Sequence, residues 1–316
     1  MCPLRNLDHA RRLQPDITEE GLRKIEPYLK NAENIFLQGI GGEPLLSPSL
    51  FAVLGMVRGS TVHVQFDTNG LLLTELIARK LIDSRLSGIS ISVDATTART
   101  YQNIRRNNGF LKVIENIETL QALKRSLCSD DPSLTISMVL MKENLAEAES
   151  FIDLGKRLNV AKVVMRGLTP IERNYRVASG DIVFDYEEQK ICPDDEHARS
   201  IIKKVYEKAR ANNVLLDSDT AFLRKAWGLD DERDGAAGMT PVCKGAGVYA
   251  CDRPWDFLLI DIFGNVSFCC HMRERLGNIY EAEIADILDS STARSIRTAF
   301  TKGHIPQACV ACNLLR

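Results

Sequence analysis

Residues Phe36 to Leu46 read F-L-Q-G-I-G-G-E-P-L-L, an apolar strand that runs into a turn in which Gly39, Gly41 and Gly42 carry no side chain. Bare backbone of this kind lets N–H and C=O groups approach a ligand that a Cβ would keep away. Glu43 sets a carboxylate beside that backbone and Pro44 closes the turn. The pair suits a ligand that carries an ammonium group together with hydrogen-bond acceptors. A nucleoside triphosphate is a poor fit, since neither G-K-[ST] nor G-x-G-x-x-G follows. The ordinary reading of the same residues is a βα turn with a helix-starting proline at Pro44.

A second group able to do chemistry is built from thiols. Of nine cysteines, Cys243, Cys251, Cys269, Cys270, Cys309 and Cys312 lie in the last quarter of the chain, and Cys2 stands at its start. No secretory leader is visible after Met1, so the chain reads as cytoplasmic, where thiols stay reduced and metal explains clustered cysteines better than disulfides. Phe257 to Ile262 and Val266 to Phe268 read as a hairpin about the turn Phe263-Gly264-Asn265, which draws Cys251 and Cys269 together. With the C-x-x-C pair Cys309 and Cys312 they form a four-thiolate set, open to either zinc or an iron–sulfur cluster. Cys270 points away from its neighbour, as successive strand residues do. Cys128, ending an apolar helix, reads as a core residue.

The elements that must position these groups alternate. A helix capped by Asp16 or Thr18 carries Leu22, Ile25 and Leu29 at helical spacing. Strands are predicted at 35–37, 61–66, 89–93, 134–141 and 161–165. Helices are predicted at 47–57, 71–81, 97–124 with a break at Asn107-Asn108-Gly109, 145–158, 195–211 and 284–300. Short apolar strands alternating with amphipathic helices specify a parallel sheet under helices. The strands end in the glycine turn, in Thr68-Asn69-Gly70, at Asp94, in Lys142-Glu143-Asn144 and at Arg166-Gly167, and in a barrel or partial barrel such ends converge on the face that carries the chemistry. Thr169 to Phe184 reads as an irregular rim. Asp230 to Gly238 is the most linker-like stretch.

Forty basic and 42 acidic residues give a net charge of -2, with 26% charged and 45% hydrophobic residues. No basic block calls for nucleic acid or an anionic membrane, and no apolar run reaches the roughly 18 residues of a membrane span.

Together the motifs resemble a known family. G-G-E-P at Gly41 to Pro44, T-N-G at Thr68 to Gly70, I-S-V-D at Ile91 to Asp94 and the following Tyr101-x-x-Ile104-Arg105 are similar to the core of radical S-adenosylmethionine (SAM) enzymes. Cys251, Gly264, Cys269, Leu276-Gly277-Asn278 and Cys309-x-x-Cys312 resemble the SPASM or shortened twitch domain that follows this core in one subgroup. The resemblance implies an α/β fold: a partial (β/α)6 TIM-like barrel over 1–212, lacking its first strand, then a small α+β cysteine-rich domain over 213–316. It implies that Gly41, Gly42, Glu43 and Pro44 hold the methionyl amine of SAM, that Ser92 and Asp94 lie near the ribose, and that Arg166 reaches the carboxylate. It further implies a 4Fe-4S cluster on Cys251, Cys269, Cys309 and Cys312, a reductant such as flavodoxin or ferredoxin, and a peptide, protein or small sugar-like substrate. For Asp94 the plain alternative is a cap for the helix that starts near Thr97. Asn69, Arg105, Arg173 and Tyr175 are rim candidates.

One departure stands out. The family's radical-generating cluster is held by C-x3-C-x2-C, whereas this chain has only Cys2, in M-C-P, matching the third position. Two ligands and the first strand are therefore expected upstream of Met1. Two other readings follow from the same residues: a non-catalytic iron–sulfur protein, and a zinc-stabilised binding module fused to a barrel.

Overall fold

The computed structural model describes residues 16–37, 42–168, 176–179, 182–218, 223, 224, 227, 251–270, 272, 274–302, 304 and 309. Two compact units are present, one formed by Met1–Leu13 with Lys30–Asp231 and the other by Gln14–Leu29 with Glu232–Arg316.

The first unit alternates strand and helix. Its elements are β1 (Asn34–Leu37), α2 (Pro48–Met56), β2 (His63–Thr68), α3 (Glu75–Asp83), β3 (Gly88–Ser92), α4 (Ala98–Arg105), α5 (Phe110–Ser126), β4 (Ser133–Leu140), α6 (Ala148–Arg157) and β5 (Lys162–Gly167). After them come β6 (Arg176–Ser179), β7 (Ile182–Asp185), the short α7 (Tyr186–Gln189), α8 (Glu196–Ala211) and β8 (Leu216–Asp217). Helix α1 (Glu19–Leu29) precedes them all and belongs to the other unit.

Six strands pair in the order β1-β2-β3-β4-β5-β8, every pair parallel. Each strand lies beside its predecessor with no reversal of order, which is barrel progression rather than the switch-point order of a doubly wound sheet. The last strand, β8, was not predicted: two residues are too few to show a period. It lies beyond residue 212 and pairs with β5. The antiparallel pair β6–β7 replaces the irregular rim expected before Phe184.

The outer face of the sheet is apolar. Ile35, Val64, Phe66, Ile89, Ile91, Leu134, Ile136, Met138, Val163 and Met165 are buried there. Above them α3 packs on α5 and α6 on α8, through buried residues such as Leu81, Ile117, Leu120, Ile152 and Ile202. Helix starts follow local capping: Thr74, Thr97 and Asp195 each accept a hydrogen bond at the head of α3, α4 and α8. The break between α4 and α5 falls where Asn107-Asn108-Gly109 placed it, with Arg106 left-handed at φ 59°.

The inner face has the opposite character. Strand register lines up Phe36, Gln65, Gly88 and Ser133 in one row, then Asp67, Ser90, Thr135 and Lys162, then Ser92, Ser137, Val164 and Asp217. A barrel lumen is ordinarily filled by branched apolar side chains. Here hydroxyls, amides and a glycine leave a cavity of about 370 Å³, lined by Phe36, Gln65, Ser90, Thr135 and Lys162 among others.

In the second unit α9 (Arg253–Asp256), the antiparallel sheet β9 (Leu259–Ile260), β10 (Asn265–Ser267) and β11 (Gly277–Asn278), and helices α10 (Ile284–Leu288) and α11 (Ser291–Thr301) follow one another. Gly264 turns the β9–β10 hairpin at φ 78°, where a Cβ would meet the Tyr280 ring at 2.6 Å. The helix predicted over 284–300 is two helices, because Ser290 breaks the run and caps α11 through Ala293 N. Helix α1 joins this unit through Thr18, whose hydroxyl lies 2.9 Å from that of Tyr280, and through Lys24, whose Nζ donates to Ile279 O at 2.8 Å. Thr18, rather than Asp16, takes the Gly21 amide at the head of α1.

Candidate active site

The glycine turn leaves β1 at its C-terminal end. Gly41 lies outside the described residues, as do Cys2, Cys243, Cys312, Arg173 and Tyr175. Among the described residues, a Cβ added at Gly42 meets nothing within 4 Å. That open space is what a ligand approaching the backbone needs. Pro44 is buried and starts a short 3-10 turn that Glu43 caps, so the ordinary role of these residues is also realised.

Glu43 does more than cap. Its Oε1 accepts from Leu45 N at 3.3 Å and from the Thr68 hydroxyl at 2.5 Å, and its Oε2 accepts from Asn69 N at 3.0 Å. The carboxylate thus ties the end of β1 to the end of β2. An ionised carboxylate offers about four acceptor positions, so one remains for an ammonium group after these three bonds. Asn69 spends its side chain closing the T-N-G turn, its Oδ1 accepting from Leu71 N at 2.9 Å.

At the end of β3, Ser92 faces the inner side and accepts a 3.4 Å bond from the Ser137 hydroxyl. Asp94 is 1% exposed and left-handed at φ 64°. It does not cap α4, which Thr97 caps. Its Oδ1 accepts from Val139 N at 2.7 Å and its Oδ2 lies 2.5 Å from Arg105 Nη2. That contact is a charge pair without hydrogen-bond alignment, since Asp94 Oδ2 and Arg105 Nε are buried and have no hydrogen-bond partner. Arg166 pairs in register with Val139, one strand beyond Asp94. The ends of β3, β4 and β5 therefore bring Ser92, Asp94 and Arg166 into one neighbourhood.

Sequence reasoning missed the supports of these groups. Asn116 of α5, 3% exposed, donates from Nδ2 to Gly70 O and Leu71 O at 2.8 and 3.2 Å. Asn144, 0% exposed, donates to Asp94 O and Val139 O, both at 2.9 Å, and accepts from Met141 N. Glu147 accepts from the amides and hydroxyls of Thr96 and Thr97 at 2.5 to 3.3 Å. Burial alone would raise the Glu147 pKa, but hydrogen bonds from Thr100, Thr96 and Thr97 outweigh it and hold it below the ordinary value. Burial likewise pushes the Tyr101 phenol up, against the neighbouring Arg105 charge. The signal for Asn116 was present: an asparagine set among Val113, Ile117 and Leu120 on a buried helix face.

Of the four expected cluster thiols, Cys269 and Cys309 are buried and Cys251 is half-buried, all in the second unit. Cys270 is exposed, but it and Cys269 lie past the end of β10, so its direction is set by a turn and not by strand alternation. Cys128 is exposed too, which corrects the expectation of a core residue: α5 ends before it and it turns left-handed at φ 49°. Among the described residues no three His, Cys, Asp or Glu side chains stand close enough to hold a metal. The thiols fit the group by donor chemistry and burial.

The sequence profile described as the radical SAM superfamily matches residues 2–155, and that described as an iron–sulfur cluster-binding domain, SPASM, matches residues 251–313. Residues 2–155 carry a radical SAM domain and residues 251–313 a SPASM domain. The cofactors are those of the two domains, S-adenosylmethionine and 4Fe-4S clusters, and all four C-terminal thiols lie inside the second match, which decides for iron–sulfur over zinc. Among curated proteins this chain is similar to an AdoMet-dependent heme synthase of Methanosarcina barkeri, 26% identical over 79% of the chain and 67% of that protein. It is also similar to the mycofactocin maturase MftC of Mycobacterium tuberculosis, 26% identical over 48% of the chain and 37% of that protein. The chain thus spans two thirds or less of the length of these relatives. The solved structure of anSMEcpe with bound AdoMet and the Kp18Cys peptide shares the fold, with TM-score 0.60 at 16% identity over 94% of this chain and 79% of that one.

Proposed function

We propose that this chain is a radical SAM enzyme that removes a hydrogen atom from a peptide substrate, with an auxiliary 4Fe-4S cluster held by Cys251, Cys269, Cys309 and Cys312. Bound S-adenosylmethionine, on one-electron reduction, supplies a 5′-deoxyadenosyl radical for that abstraction. Cys2 is read as one ligand of the radical-generating cluster, and a flavodoxin- or ferredoxin-like protein as the electron donor.

The observation that carries this reading is the Glu43 carboxylate, fixed by three bonds with one acceptor position left, beside the open backbone at Gly42. Glu43 binds the methionyl ammonium through Oε2 and Gly42 admits the amino-acid arm. Ser92 offers its hydroxyl to the ribose, while Asp94 shapes the same loop from inside the fold. Arg166 answers the carboxylate. Beneath them the inner-face cavity offers Gln65, Ser90 and Thr135 beside the apolar Phe36, Phe66 and Leu215, a mixed lining that suits a substrate with both polar and apolar groups. A peptide is favoured because one relative is called a maturase and the solved structure with this fold holds a peptide. Among the described residues no helix is long and apolar enough to cross a membrane.

The test is anaerobic reconstitution with iron and sulfide of a version extended upstream to the nearest in-frame cysteines, then SAM and dithionite, with 5′-deoxyadenosine measured. Formation of the nucleoside that falls at least about tenfold in Glu43→Gln is expected. Its absence from the reconstituted chain would leave the non-catalytic iron–sulfur reading.

A further inference from the structure

Glu43 is held by the Thr68-Asn69-Gly70 turn, and that turn has a tether of its own. The turn is closed internally: Gly70 N donates to the Thr68 hydroxyl at 3.1 Å and Leu71 N to Asn69 Oδ1 at 2.9 Å. It therefore moves as one body. What fixes that body to the helix layer is Asn116, whose amide takes both the Gly70 and the Leu71 carbonyl. Loop residues after β3 repeat the arrangement, with Asn144 taking the Asp94 and Val139 carbonyls and Asp94 N in turn donating to Ser137 O. Neither asparagine is solvated, so water does not compete for these bonds. At both positions an apolar side chain would bury more surface but would take a donor from two carbonyls, Gly70 O keeping only the longer 3.3 Å bond from Leu73 N among the described residues.

We propose that Asn116 and Asn144 are positioning residues that preset opposite ends of the SAM cradle. Asn116 acts through the T-N-G turn on Glu43, and so on the ammonium of the amino-acid arm. Asn144 acts through the Asp94 loop on the nucleoside end. This rests on the reading that Glu43 and Ser92 bind SAM.

The experiment is equilibrium dialysis of the reconstituted full chain against SAM and against 5′-methylthioadenosine, which keeps the nucleoside but lacks the amino-acid arm. Asn116→Ala is expected to weaken SAM about tenfold and to leave 5′-methylthioadenosine within about twofold. Thr68→Val, which removes the hydroxyl at the far end of the same relay, gives the same pattern and serves if Asn116→Ala does not fold. In a Glu43→Gln background Asn116→Ala adds no further loss. Asn144→Ala, or Asn144→Asp if the alanine variant does not fold, weakens both ligands alike.

Equal weakening of both ligands by Asn116→Ala, an additive loss in the Glu43→Gln background, or a loss confined to SAM in the Asn144 variants overturns the assignment. A wild-type chain that binds neither ligand overturns the functional reading itself, and this one with it.

Discussion

The Arg105 guanidinium lies 2.5 Å from the Asp94 carboxylate, a carboxylate that is 1% exposed at the end of β3. Arg105 itself keeps 23% of its side chain exposed. Removing it leaves a buried negative charge with, among the described residues, only the Val139 amide to answer it. Arg105→Ala is expected to cost about 3 kcal/mol in urea unfolding, the low end for breaking a buried pair. Arg105→Lys should recover part of that. No change in the unfolding midpoint for Arg105→Ala would show the pair to be idle.

Glu147 makes stability depend on acid. Its pKa is lowered in the folded state from the ordinary 4.5, so its contribution is complete above that value and is lost as pH falls through the folded one. Urea midpoints measured from neutral pH downward should fall below about pH 4.5, and Glu147→Gln should flatten that fall. A variant as acid-sensitive as the wild type would assign the sensitivity elsewhere.

Gly70 has no tolerated substitute. Its φ is 76°, and a Cβ would meet Ile91 Cγ2 at 2.8 Å and Val113 Cγ1 at 3.2 Å. Strain and overpacking together predict that Gly70→Ala loses about 2 kcal/mol, read as a lower melting temperature. A melt unchanged by the substitution would mean that the turn relaxes freely.

Cluster ligation is read by iron content. Cys309→Ser should remove about four irons per chain after reconstitution, whereas Cys128→Ser, at an exposed position, should remove none. Retention of all iron in Cys309→Ser would take Cys309 out of the ligand set.

Much of the fold was legible because the outer face of the sheet is apolar and the helices are amphipathic. Ile89 and Ile91 alternate with Ser90 and Ser92, and that alternation alone sets strand, register and face. Less was legible where elements are short or where a polar group works locally. The two residues of β8 show no period, and β6–β7 lies in a stretch without strong apolar alternation. The binding candidates Glu43, Ser92 and Asp94 were found by motif, yet the partners of Asp94 were not. Val139 and Asn144 lie about fifty residues downstream, a separation no local pattern encodes. Cys128 was misplaced because the helix ends at Ser126, and of the residues around the thiol only Leu127 is apolar.

The layering of the sheet bears on how the protein can change. Its stability rests on one side, in the apolar contacts of Ile89, Ile91, Ile136 and their helices, while Ser90, Thr135 and Ser137 on the other side contribute little hydrophobic burial. Substitutions at Ser90 and Thr135 on that side remove less apolar burial than those at Ile89 and Ile91. Selection can therefore retune the interior without endangering the scaffold, which is how one sheet comes to serve many substrates.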